Sequence, residues 1–230
     1  MVWGSAEELV AEQTRLGGLT PSPWSPNPGP IVAAGCFVAF ARGQQGPGRA
    51  GDEGWVGVAL TEDACSLTSV VIRASAGASY EPGLLAWREG PMLLVALRRL
   101  ARRPDVLLVD ATGRDHPRRV GLALHIGAVL DLPSVGVTHR PLCAHGVEPG
   151  EERGSKAPVT IDGDVVGTWL RTRRGARPVV AHAAWRTDVR TAAAVVLGTT
   201  GSASRTPEPL RVARMKARAA RALGEGRGRP

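Results

Sequence analysis

Apolar and polar positions divide the chain into a short helix, a block of strands, and a stretch in which helices and strands alternate. Leu9, Val10 and Leu16 follow Ser5-Ala6-Glu7-Glu8, which predicts a helix with Ser5 as its N-cap and acids in its first turn, ended by Gly17-Gly18. A Pro-rich connector from Thr20 to Pro30 leads into three β-type runs, Ile31–Phe40, Trp55–Leu60 and Leu67–Arg73, parted by Gly-rich or polar turns. Their spacing predicts an antiparallel meander. From Leu84 the period becomes helical, with Leu84, Leu85, Met92, Leu93, Ala96, Leu97 and Leu100 recurring on one face up to Arg103. Asp105-Val-Leu-Leu-Val-Asp110 is an apolar run closed by an acid, the pattern of a strand buried on both faces.

The second half continues the alternation. Val120–Leu130 reads as a helix and Ser134–Thr138 as the next parallel strand. A mobile loop, Ala144 to Lys156, is expected before two further strands, Val159–Ile161 and Val165–Thr172, and a short one at Pro178–Ala181. Helices follow at Thr187–Leu197 and from Glu208 to about Ala222. This order predicts an α/β fold of the ribonuclease H-like kind, a mixed sheet with an antiparallel meander followed by parallel strands, flanked by helices. Asp110 stands out, because α/β sheets place their chemistry at the C-terminal ends of such strands.

At 230 residues the chain suits one domain, here taken as residues 1–222, with 223–230 as a flexible basic tail. Its net charge is +8, and from Arg205 onward eight Lys or Arg stand against two acids. The excess therefore sits at the C-terminal end, which suits either a polyanion or a solvated terminus. Cys36, Cys65 and Cys143 are far apart and lack metal-ligand spacing, which argues against a zinc site or a disulfide framework. No apolar run is long enough to cross a bilayer, and the first residues carry acids where a leader would carry bases. A cytoplasmic monomer without membrane contact is expected.

From Tyr80 to Leu142 the chain reads YEPGLLAWREGPMLLVALRRLARRPDVLLVDATGRDHPRRVGLALHIGAVLDLPSVGVTHRPL. Tyr-x-Pro-Gly, Arg-Glu-Gly-Pro, the strand ending in Asp110, Gly-x-x-His-Pro-Arg and Gly-x-Ala-x-His-x-Gly follow one another in it, and the whole resembles endonuclease V. Weaker resemblance extends to Arg171-Thr-Arg173 and to Arg205-x-Pro-Glu-Pro-x-Arg211. The resemblance implies a Mg2+-dependent endonuclease, with Mn2+ as an alternative ion. Such an enzyme recognises deoxyinosine in DNA, or inosine in RNA, and cuts the second phosphodiester bond on the 3′ side.

On that resemblance Glu89 and Asp110 match two metal-binding acids, and His116 matches a catalytic loop residue beside the scissile phosphate. Tyr80, Pro82 and Gly83 match a wedge that pushes between bases, while Gly113, Arg118 and His139 match strand-contacting positions. Each has an ordinary alternative. Glu89 would otherwise be a solvated helix acid, Asp110 a helix cap or a loop acid, and Tyr80 a loop-packing aromatic. His125, helical and flanked by apolar residues, reads as a core histidine rather than a site residue.

Three positions depart from the family. Phe37 stands in Gly35-Cys36-Phe37 where a metal-binding aspartate is usual, and no acid occurs between Gln13 and Gly51 to replace it. His139 takes the place of a lysine and Trp185 that of a histidine. Asp52, Glu53 and His182 are the nearest candidates to compensate. Two functions follow from these residues: a DNA-repair nuclease with a divergent centre, and a catalytically degenerate relative that binds nucleic acid.

Overall fold

The computed structural model describes residues 4–26, 28–43 and 46–226. Eight strands form one mixed sheet: β1 (Val32–Phe40), β2 (Glu53–Glu62), β3 (Cys65–Ser75), β4 (Val106–Val109), β5 (Ser134–Thr138), β6 (Lys156–Ile161), β7 (Asp164–Leu170) and β8 (Val179–Ala183), in the order β3-β2-β1-β4-β5-β8-β7-β6. β1, β2 and β3 make the expected antiparallel meander, and β4 runs parallel to both β1 and β5. β8 returns antiparallel to β5 and carries the β6–β7 hairpin on its far side. This is the ribonuclease H-like arrangement expected from the order of elements.

The central strands are apolar throughout because helices cover both faces. Leu107 and Val109 of β4, with Ala34, Cys36 and Val38 of β1, pack under α1 (Ala6–Gly17), α2 (Leu85–Leu97) and α3 (Leu122–Leu130). Val106 and Leu108 point the other way, toward Val195 and Val196 of α4 (Val189–Gly198) and Leu210 of α5 (Glu208–Gly226). Alternation along β1 therefore sends Phe37 to the α5 side, where it packs with Val212 and Ala213. Two glycines set how close α5 lies. A Cβ at Gly35 would overlap the Pro209 carbonyl, and one at Gly57 would overlap that of Ala213.

α5 also alters the picture of the basic end. It continues through Gly226, past the expected end near Ala222, and residues 227–230 lie outside the described ones. The side chains of three of its arginines have partners. Arg211 pairs with Glu208, Arg214 with Asp110, and Arg221 donates to the Phe40 carbonyl at 3.1 Å. The apolar stripe of Leu210, Ala213 and Ala217 explains why a charge-rich segment docks as a helix.

Two other segments differ from the periodicity. α2 stops at Leu97 rather than Arg103, as the amides of Arg99 and Leu100 turn to carbonyls three residues back and Pro104 follows. The stretch from Ala144 to Lys156, expected as a mobile loop, is tied at several points. His145 exchanges two backbone bonds with Thr160, and the buried Arg171 donates to the carbonyls of Pro149 and Gly150.

Candidate functional site

β4 delivers Asp110 to the edge of the sheet at the level where the β1 register, ending at Cys36 opposite Val109, brings Phe37 alongside. α2 delivers Glu89 to the same place, and Glu89, Asp110, Phe37 and Cys36 line one recess of about 110 Å³. The two acids expected to converge therefore do. Burial, reinforced by the negative charge of Asp110 and opposed by Arg88, pushes the Glu89 carboxyl up to about 7. The Cys36 thiol in the same recess is likewise held protonated, by burial first and then by the two acids.

A cation already stands at this recess. Arg214 donates from Nη2 to Oδ2 of Asp110 at 2.9 Å, and the two side chains are 20% and 25% exposed. Its guanidinium lies 5.3 Å from the centre of the Phe37 ring, and that of Arg218 lies 5.5 Å from the same ring. The Nε of Arg214 is buried without a hydrogen-bond partner.

A second hollow adjoins the recess, sharing Leu85 and Leu122 with it. Its volume is about 340 Å³, and Tyr80, Ala86, Thr112, Thr138, His139 and Leu142 are among its walls. Tyr80 is 46% exposed at its rim. Behind the rim, Gly83 sits at φ +81, a conformation that favours glycine, and its carbonyl accepts from three side chains. These are Gln13 Nε2 at 3.2 Å, His116 Nε2 at 3.1 Å and Arg118 Nη2 at 2.9 Å. Gln13 also donates to the Val120 carbonyl and accepts from Arg118 Nε at 2.7 Å, so one buried amide from α1 locks the Tyr80–Gly83 turn to the 116–120 loop.

The opposite wall is braced by a buried acid. Asp115 accepts the backbone N–H groups of Leu142, Cys143 and Ala144 at 2.7 to 2.8 Å, which folds the chain after β5 over the hollow. Thr138 gives its hydroxyl proton to the Arg140 carbonyl, so His182 Nε2 must donate to the Thr138 oxygen, at 2.7 Å. Its Nδ1 then faces Asp115 at 3.8 Å as an unprotonated lone pair. Burial holds His182 down to about 4, outweighing the attraction of Asp115, which fits that neutral form.

The sequence profile of the endonuclease V family matches residues 32–215. An endonuclease V from Geotalea uraniireducens is 41% identical over 210 residues, spanning 90% of this chain and 82% of that protein. The crystal structure of endonuclease V from Streptomyces avermitilis superposes with a TM-score of 0.83 at 33% identity, covering 97% of this chain and 95% of its own. The catalytic domain of human endonuclease V gives 0.83 at 26% identity, over 96% and 99% of the two chains. The chain belongs to the endonuclease V family. A Ciona intestinalis endonuclease V bound to inosine-containing DNA shares the fold, with a TM-score of 0.77 at 19% identity over 94% and 98%.

The structure places the other motif residues as follows. His116 is 3% exposed, and both ring nitrogens are engaged, Nε2 on Gly83 and Nδ1 by the Arg118 amide. Burial first, and Arg118 beside it, hold it down to about 4, which fits a neutral ring bonded on both sides. Arg118 is partly spent in the same lock. Gly113 is buried, and a Cβ there would overlap the Ala183 carbonyl, so no side chain fits at this position. Trp185 belongs to the other end of the sheet. Its amide meets Ser134 at the start of β5, and its indole donates to Asp131 at 3.2 Å, so it is not a lost residue of this recess.

The candidates for compensation also lie elsewhere. Asp52 accepts from the Arg49 amide and pairs with Arg88 at 2.8 Å, while Glu53 pairs with Arg73. His182 is wholly buried behind Thr138. Among the described residues no three His, Cys, Asp or Glu gather to hold a metal. The Mg2+ that endonuclease V implies does not fit this recess as built, where Phe37 offers no oxygen ligand and Arg214 already answers the charge of Asp110. His139 stands beside the recess, its pKa lowered by burial and by Arg205 and Arg214. Gln13 and Asp115 are the residues the motifs missed. A polar side chain in the apolar Leu9-Gln13-Leu16 stripe was the available signal for Gln13.

Proposed function

We propose that this chain recognises an inosine-type base in a DNA or RNA strand and holds the strand without hydrolysing it at the rate a complete metal centre would allow. The carrying observation is the adjacency of a braced hollow at the Tyr80 rim and a recess reduced to Glu89 and Asp110. An aromatic at a rim can stack in place of a displaced base, and a mostly apolar hollow with a few fixed polar groups suits an extruded one. Thr112, His139 and the backbone of residues 138–142 offer the polar edges. The Arg214–Arg218 side of Phe37 offers positive charge to the neighbouring phosphates.

The test is competitive binding of a single-stranded oligonucleotide with one deoxyinosine against the same strand with deoxyadenosine. Preferential binding that falls roughly tenfold in Tyr80→Ala is expected, a loss typical of one stacked base. Equal affinity for the two strands contradicts the reading. A second reading, slow metal-dependent cleavage 3′ to deoxyinosine, is favoured by the convergence of Glu89 and Asp110 in one recess. Nicked product with Mg2+ or Mn2+ that disappears in Asp110→Ala would establish it.

A further inference from the structure

We infer that Arg214 is a resident cation that stands in for a divalent ion, so that strand phosphate is bound at the Phe37 face by guanidinium groups and without metal. The inference rests on the nucleic-acid reading for its ligand, but its structural basis is independent. Phe37 and Arg214 are complementary. A carboxylate at position 37 would add negative charge beside Asp110 and call for a cation of higher charge. A phenyl ring instead gives a guanidinium a face to lie on, at 5.3 Å, and removes one anion from the site.

The placement is built rather than incidental. Gly35 and Gly57 admit α5 directly onto β1 and β2, which fixes where Arg214 emerges, and its bond to Asp110 fixes the direction of the head group. Arg218, one turn further along, shares the Phe37 ring and is exposed. Nη2 of Arg214 donates to Asp110, while Nε is buried and without a hydrogen-bond partner among the described residues. The remaining Nη protons of the planar guanidinium match the oxygens of a phosphodiester. Arg205 stands close enough to Arg214 for the two charges to influence one another, extending the positive edge toward the hollow. Fixed cations of this kind release counterions from the strand as a metal would, but remain when chelator is added.

The test uses the full chain. Calorimetric titration with Mn2+ and no nucleic acid should show no stoichiometric binding to the wild type. Arg214→Ala should bind Mn2+, since Asp110 then loses its guanidinium partner in the recess it shares with Glu89, and Phe37→Asp/Arg214→Ala should bind it more tightly still. Should Arg214→Ala fail to fold, Arg214→Met, which keeps an apolar contact with Phe37, takes its place. Stoichiometric Mn2+ binding by the wild type that is lost in Asp110→Asn would overturn the inference, as would no gain of Mn2+ binding in any Arg214 variant. In parallel, fluorescence anisotropy with the deoxyinosine strand should give the same affinity in EDTA as in Mg2+, falling roughly tenfold in Arg214→Met, the loss of one charge-assisted contact. Binding that requires Mg2+ overturns the inference. No binding of any strand removes the nucleic-acid reading, while the Mn2+ titrations still decide the role of Arg214.

Discussion

Arg214 reaches from the last helix to Asp110 at the end of β4 over 2.9 Å, joining the two faces of the fold at the one acid that the strand pattern singled out. Breaking a partly buried pair from one side costs more than removing both partners, because the remaining charge is left without compensation. Asp110→Ala should therefore lower stability by about 2 kcal/mol. Asp110→Ala/Arg214→Met should recover most of it. Urea unfolding of the three proteins measures this, and an Asp110→Ala variant as stable as the wild type would show that the pair carries no such coupling.

Gln13 offers a test of the lock behind the hollow. It is 1% exposed and makes three hydrogen bonds that join α1 to the Gly83 turn and the 116–120 loop. Gln13→Ala leaves the Val120 carbonyl and Arg118 Nε short of a partner, so a loss of about 1 to 3 kcal/mol is expected. Preference for the deoxyinosine strand should weaken as well, because Tyr80 is aimed by that turn. A stable variant with unchanged preference would mean that the turn is held by other contacts.

Gly35→Ala tests how α5 reaches the site. The new methyl group would meet the backbone of Pro209 and Leu210, which cannot yield as a side-chain end would. Overpacking of this kind costs about 1 to 3 kcal/mol and should displace α5. Stability to urea and strand affinity should both fall, whereas Gly201→Ala, where a Cβ meets nothing within 4 Å, should leave them as they are.

Opposing pH dependences are built into the core. His116, His125 and His182 are held down to about 4 in the fold, against 6.5 for a free imidazole, chiefly by burial. Their stabilising neutral state is present above 6.5 and is lost as pH falls toward 4. Glu89 runs the other way. Raised from 4.5 to about 7, it contributes most below 4.5 and loses that contribution as pH rises through 7. Three groups outweigh one, so stability should rise between about pH 4.5 and 7, and Glu89→Gln should make that rise steeper. A flatter profile in Glu89→Gln would contradict the burial assigned to this carboxyl.

Much of this was legible in the sequence for identifiable reasons. The run from Val106 to Val109 had to be a doubly covered strand, so Asp110 had to end at a sheet edge, and a helical acid at Glu89 could meet it there. Phe37 was visible as a departure because its neighbours Gly35 and Cys36 fixed its register. What opposes Phe37 was not visible. Arg214 lies 104 residues from Asp110 in a charge-rich segment, and only the close approach permitted by Gly35 and Gly57 turns that segment into a wall of the site. Gln13 and Asp115 escaped notice for a similar reason. Their partners are backbone groups of distant loops, which carry no signal in side-chain pattern. The bonds that His116 and Trp185 make were not legible either, because a motif records a position and leaves out which groups the side chain meets.

On the proposed reading, Phe37 and Arg214 are the two side chains that keep a divalent ion from Glu89 and Asp110. The rate of nicking a deoxyinosine strand with Mg2+, compared between the wild type and Phe37→Asp/Arg214→Ala, tests it most directly. A gain on the order of a hundredfold or more in the double variant is predicted, the scale of restoring a metal carboxylate. A wild type that already cuts as fast as the double variant would contradict it.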